Sequence, residues 1–141
     1  MIEVQKIKTE KALQEAFTIR HNVFVIEQVV DAEEEYDEFD KKCTHFIAYF
    51  DQKPAGTARW RFKSEDTIKL ERFAVESDFR NKGIGAALVQ AVLKDLPYCK
   101  IVMMHAQLHA VSFYEKQGFE IYGHQFEEAS IQHFAMKLKS I

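Results

Sequence analysis

The stretch "FRNKGIGAALV", residues 79–89, constrains the fold more than any other part of the chain. It places two of the chain's five glycines two residues apart, between a β-like run that ends near Val75 and an apolar helical run. Ile84, Ala87, Leu88, Ala91 and Val92 recur at the spacing of one helix face, and Pro97 closes that run. A strand must therefore turn sharply into a helix at Gly83 and Gly85. Either glycine simply eases the turn, or the backbone has to come close to something there.

The segments around this turn read as an α/β chain with a mixed sheet. Leu13, Ala16, Phe17 and Phe24 mark one face of a helix from about Thr9 towards Glu27. Short β-like runs follow at Cys43–Phe50, Thr57–Phe62 and Thr67–Val75, with "QKPAG" and "KSED" as the turns between them. After the glycine-led helix, 101–105 reads as a strand and 110–117 as a helix stopped by Gly118. Strands at 119–124 and 131–138 finish the chain, which thus begins with a helix. No repeat, low-complexity tract or linker interrupts it, and 141 residues favour a single domain, 1–141.

One strand carries a further signal. Ile68 and Leu70 share one phase of a period-2 pattern, whereas Phe73 and Val75 sit on the other, with Glu71 and Arg72 between. Such a slip is what a β-bulge writes into sequence, although burial on both faces produces mixed phases too. A bulged strand stops pairing with its neighbour and frees backbone donors.

Charge excludes several partners. The net charge of −3 carries no nucleic-acid signature, and no apolar run reaches the length of a membrane span. Without a basic-then-apolar leader at Met1 the expected location is the cytoplasm. Cys43 and Cys99 lie far apart and form no CxxC, so two buried reduced thiols are expected, with no metal. The acids are unevenly spread: "DAEEEYDEFD", residues 31–40, holds seven, leaving 15 acids against 19 bases elsewhere. It is either a solvated surface segment or an acidic rim that attracts a cationic substrate. Tyr36 and Phe39 within it favour an ordered, packed segment.

At the glycine turn itself, the first N–H groups of the helix lack intrahelical partners and the positive end of its dipole points the same way. That is an anion site, with Arg80 and Lys82 on its rim. The Walker pattern is absent, and Leu88 stands where a dinucleotide fingerprint needs its third glycine.

The pattern R-x-x-G-x-G at Arg80, Gly83 and Gly85, preceded by "LERFAV", resembles the GCN5-related N-acetyltransferase (GNAT) superfamily. "AVSFYEKQGF" matches a second family segment through Ala110, Tyr114, Gly118 and Phe119. "HNVFVIEQ" and "IQHFAMKL" are similar to a small bacterial subgroup. The resemblance covers most of the chain. It implies a mostly antiparallel central sheet of six to seven strands, with helices on both faces and a bulged, splayed strand pair. It also implies acetyl-CoA as co-substrate, its pyrophosphate held by Arg80, Asn81, Lys82, Gly83, Ile84, Gly85 and Ala86. Phe73, Ala74 and Val75 would then line the acyl arm, with Gln107, Phe113 and Tyr114 beside it. Gln107 stands where many members carry Asn, which alters a contact to the pantetheine.

Acetyl transfer from a thioester requires a neutral amine, a site for the oxyanion and a protonated leaving thiol. An alkylammonium has a pKa of about 10.4, so a base must remove its proton. Glu71, His105 and His133 are the candidates, each histidine having a purely structural reading beside the catalytic one. Tyr114 matches the family's general acid, or packs as a core aromatic. "HAQLH" lacks the Glu of a metal-binding helix, and Cys43 with His45 is a weak nucleophile pair. Arg59, Trp60 and Arg61 form a basic-aromatic run, but in a core strand. The expected activity is acetyl transfer by direct attack to a primary amine, a small molecule before a protein, with a homodimer left open. The alternative is a non-catalytic acyl-CoA sensor or partner-recruiting module.

Overall fold

A computed structural model describes residues 1–139. Seven strands form one sheet in the order β1-β2-β3-β4-β5-β7-β6. They are β1 Ile2–Lys6, β2 Thr44–Phe50, β3 Lys53–Ser64, β4 Thr67–Val75, β5 Ile101–Gln107, β6 Phe119–Glu128 and β7 Ile131–Leu138. The helices are α1 Glu10–Arg20, α2 Ala32–Glu35, α3 Ile84–Asp95 and α4 Val111–Lys116. β4 and β5 run parallel, while β1–β2, β2–β3, β5–β7 and β6–β7 are antiparallel. The chain divides into two compact units: Met1–Trp60 with Arg72–Leu96, and Arg61–Glu71 with the residues from Pro97 on.

In the first unit, the Thr9 hydroxyl caps α1 by accepting from the Ala12 N–H at 3.1 Å. The helix continues to Glu27 as expected, but His21–Glu27 is π-helical, with the Gln28 N–H reaching back to the Val23 carbonyl at 3.0 Å. β1 precedes α1 and was not expected. Its only sequence mark is Ile2 and Val4 alternating with Glu3 and Gln5, a weak pattern because an edge strand buries little.

Pro54 lies within β3 rather than in a turn. The turn is Asp51–Gln52, both with positive φ, and the β2–β3 register slips from Ala48↔Gly56 to Tyr49↔Pro54. Proline is tolerated at such a bulge because no ladder bond needs its missing N–H. Beyond the slip, the alternation of β3 sorts its two faces. The Trp60 indole N–H donates to Asp95 of α3 at 3.1 Å, and Gly56 also faces α3. Arg59 faces the opposite way, towards the acidic segment. A Cβ on Gly56 would stand 3.0 Å from the Ala74 carbonyl and from Leu88, and 3.1 Å from Ile84. The absent side chain is what lets the start of α3 lie directly on the sheet.

The phase slip in β4 has its counterpart at Arg72, whose φ of +58° is left-handed within a strand. Just before it, Leu70 and Glu71 face opposite sides of the sheet and are both buried. In the second unit, the β4–β5 ladder runs from Thr67↔Ile101 to Leu70↔Met104, and both strands continue past that point. β6 is longer than expected. Gly123 at φ +83° and a register shift between Tyr122 and Phe126 kink the strand, which resumes to Glu128 before the tight turn at Ala129–Ser130. The break in alternation hides that continuation from sequence.

Candidate active site

In the first unit, β4 leads through Arg80 to Asn81 at φ +63° and Gly83 at φ +86°. Gly83 is the N-cap of α3, and no side chain caps that end. The first helical bond runs from the Ala87 N–H to the Gly83 carbonyl at 3.1 Å, so the N–H groups of Ile84, Gly85 and Ala86 have no intrahelical acceptor. These three backbone N–H groups are the donors that an anion at this turn would meet. The rim differs from expectation. Arg80 donates to both oxygens of Glu27, at 2.5 and 2.6 Å, and to the Val75 carbonyl at 3.1 Å. Its charge is already matched, and Glu27 was not identified from sequence. The Lys82 ammonium lies 5.3 Å from the centre of the Phe50 ring. Just upstream, Ala74 is buried while Phe73 and Val75 are half-buried.

Three of the seven acids of the acidic segment, Glu35, Asp37 and Asp40, pair with arginines, so this part of it is packed and ordered. Glu35 is 2% exposed and accepts from Arg20 Nε at 2.6 Å, with Arg72 Nε at 3.1 Å. Arg59, fully buried, donates to Asp37 at 2.9 Å and Asp40 at 2.5 Å. Arg20 also reaches Asp40, and Arg72 reaches Asp37, at 2.7 and 3.2 Å. Burial alone would push Asp37 and Asp40 upward, but the guanidinium hydrogen bonds and charges bring both below the ordinary carboxylate range. Glu33 and Glu34 remain exposed.

In the second unit, ladder partners share a face. The pairings Lys69↔Met103, His105↔Ala135 and Phe126↔His133 put Lys69, Glu71, His105, Phe126, Glu128 and His133 on one face. Glu71, 9% exposed, accepts from Arg61 Nε at 3.0 Å and lies 3.2 Å from the Lys69 ammonium. His105 Nδ1 is 3.3 Å from Glu128 Oε2, and His133 Nε2 is 4.0 Å from the other oxygen. His133 Nδ1 donates to the Ile131 carbonyl at 2.7 Å. The Phe126 ring stacks on His133 and meets His105 edge-on, with centroids 5.7 and 4.9 Å apart. The hydrogen bond from His105, outweighing partial burial and helped by the charges of His105, Lys69 and His133, holds the Glu128 carboxyl at about 2. Glu128 and Phe126 were missed because they follow the kink in β6.

Tyr114 sits over the other face. That face holds Leu70, Met104, Met136 and Phe119, all buried. The phenol ring is 5.0 Å from Phe113 and 6.2 Å from Phe119, and burial pushes its hydroxyl well up. With its pKa raised above the ordinary phenol value of about 10, the hydroxyl carries its proton at neutral pH. Gln107 ends β5 opposite His133. The second unit thus groups the three candidate bases on one face and sets Tyr114 on the other.

The family model of the acetyltransferase (GNAT) domain matches residues 5–140. An uncharacterised N-acetyltransferase of Bacillus subtilis, YjcF, is 38% identical over 132 residues, covering 92% of this chain and 94% of that protein. Among solved structures, Escherichia coli ElaA aligns with a TM-score of 0.84 at 25% identity, covering 99% of this chain and 100% of the other. A GNAT acetyltransferase of Elizabethkingia anophelis with acetyl-CoA bound aligns at 0.73 with 16% identity, covering 97% of each chain.

Proposed function

The chain belongs to the GNAT family of acetyl-CoA-dependent acetyltransferases, and on that premise we propose that it moves the acetyl group directly to a small primary amine. The observation that carries the reading is the uncapped start of α3, where three neighbouring N–H groups and a left-handed Gly83 present a backbone cradle for the pyrophosphate. Lys82 adds charge beside it. The acyl arm then runs past Phe73, Ala74 and Val75, whose strand is bent at Arg72, and a backbone N–H there polarises the thioester carbonyl.

The amine nitrogen attacks the carbonyl carbon, and collapse of the tetrahedral intermediate breaks the C–S bond. Tyr114 gives its proton to the departing thiolate from the face opposite the bases, the two sides meeting where the β4–β5 ladder ends at Leu70↔Met104, and regains it through the product thiol's exit path. His105 takes the proton from nitrogen. Glu71 is the poorer base because Arg61 and Lys69 already engage both of its oxygens, and a proton taken up there would sacrifice two ion pairs. No covalent enzyme intermediate forms. The enzyme works in the cytoplasm.

Thiol release from acetyl-CoA across a panel of small amines tests the activity, and calorimetry of Gly85→Val with coenzyme A tests the cradle. We expect release with at least one primary amine and a marked loss of affinity in the variant. A folded Gly85→Val protein with unchanged affinity would overturn the phosphate site. Binding without release for any amine would overturn the enzyme.

A further inference from the structure

The cluster on the open face of the second unit contains a residue that neither the sequence reading nor the family match assigns. We propose that Glu128 is a positioning residue for His105, fixing which ring nitrogen carries the proton and which faces the amine; this rests on the reading of His105 as base.

An ionised carboxylate only accepts hydrogen bonds, so the ring nitrogen 3.3 Å from Glu128 Oε2 must donate. That nitrogen is Nδ1. The lone pair is then left on Nε2, the nitrogen a base needs free. Phe126, edge-on to the imidazole at 4.9 Å, limits rotation of the ring out of this arrangement. Glu128 stays a carboxylate because the hydrogen bond from His105 outweighs its partial burial, with the charges of His105 and Lys69 adding to it. His133 is held in turn by its Nδ1–H, which donates to the Ile131 carbonyl and leaves Nε2 towards Glu128. Two imidazoles thus flank one carboxylate, but only His105 is within hydrogen-bond distance of it.

In the reaction the proton moves from the amine nitrogen to Nε2, giving an imidazolium whose Nδ1–H remains bonded to Glu128. The proton then leaves to solvent from Nε2. Glu128 never changes protonation state. It contributes orientation and stabilises the imidazolium, which exists only after proton transfer.

The test uses the full chain with nitrogen NMR of the His105 ring, alongside kinetics of Glu128→Ala, Glu128→Asp and His105→Asn. The wild-type neutral ring should carry its proton on Nδ1, and Glu128→Ala should mix the two forms. Glu128→Ala should also lower kcat by about 10-fold or more, part of the ~10²–10⁴ that a proton-transfer group supplies, with KM for acetyl-CoA unchanged. Glu128→Asp should restore part of both. A wild-type ring protonated on Nε2 overturns the proposal, as does wild-type kcat in Glu128→Ala when His105→Asn is impaired. Full kcat in His105→Asn overturns the base assignment itself. The spectra do not depend on turnover, so the two failures are distinguishable.

Discussion

Each unit holds one dense cluster of charged side chains, and the two are built differently. The cluster of the first unit pairs Arg20, Arg59 and Arg72 with Glu35, Asp37 and Asp40, and Arg59 and Glu35 are almost wholly shielded from solvent. That of the second unit mixes Lys69, Glu71 and Glu128 with two histidines, and Glu128 is about half exposed. Guanidinium–carboxylate pairs this short neither gain nor lose protons near neutral pH, so they hold segments together without doing chemistry. Imidazole beside a partly solvated carboxylate can exchange a proton with a substrate. A cluster of charge therefore makes a clasp in one place and, in the proposed mechanism, a reaction face in the other.

The largest effect expected from this contrast is on stability. Arg59→Ala takes a fully buried guanidinium away from Asp37 and Asp40, leaving them Arg72 and Arg20, and should cost about 3 kcal/mol. That corresponds to roughly 10 °C in a thermal melt. The sign with pH follows from the lowered pKa values of both acids. Their contribution is fully present above about pH 4, the ordinary carboxylate range, and is lost as pH falls through the lower native values. The melting gap between wild type and Arg59→Ala should narrow over that interval. A variant melting within a degree of wild type at pH 7 would mean that the first cluster is not a clasp.

Next in size is a loss of rate without a loss of fold. Tyr114→Phe keeps the buried ring against Phe113 and Phe119 and removes only the hydroxyl. We expect kcat to fall at least ~10-fold, water partly replacing the lost donor, with coenzyme A affinity nearly unchanged. Thiol release at the wild-type rate would make Tyr114 a packing residue and confine the chemistry to the histidine face.

The smallest effect belongs to the exposed acids. Glu33→Gln with Glu34→Gln should change stability by less than about 0.5 kcal/mol and flatten the salt dependence of KM for a cationic amine. If KM is the same at low and high salt in wild type and variant alike, the exposed part of the segment is solvated surface only. A destabilisation as large as that of Arg59→Ala would instead extend the clasp to these two residues.

Sequence order made most strands and helices legible because their apolar periods are strong, and the glycine turn because Gly83 and Gly85 are conspicuous in a glycine-poor chain. β1 was obscured by its exposed edge position, and the true extents of β3 and β6 by a bulge at Pro54 and a kink at Gly123. The site followed the same rule. Tyr114, His105 and Glu71 stand in recognisable local patterns. Glu128 acquires its meaning only across a hairpin, and Glu27 only through Arg80, 53 residues away. Charge was the least legible quantity, since composition does not record which acids in "DAEEEYDEFD" find an arginine.

The π-helical run His21–Glu27 has a consequence for how this chain can tolerate a change of length. A π turn accommodates one residue more than an α turn. Deleting a single residue there would let the helix close into regular α geometry with no loss of its own bonds. Because the π turn takes up its extra residue within nearly the same rotation, the positions beyond it would keep their faces, and Glu27 would stay near Arg80. The same deletion in the regular helix Glu10–Arg20 would instead swing every later position about 100° around the axis, carrying Glu27, Glu35, Asp37 and Asp40 away from their arginines. The run His21–Glu27 is thus the stretch of the first helix where the chain can lose a residue without losing its register.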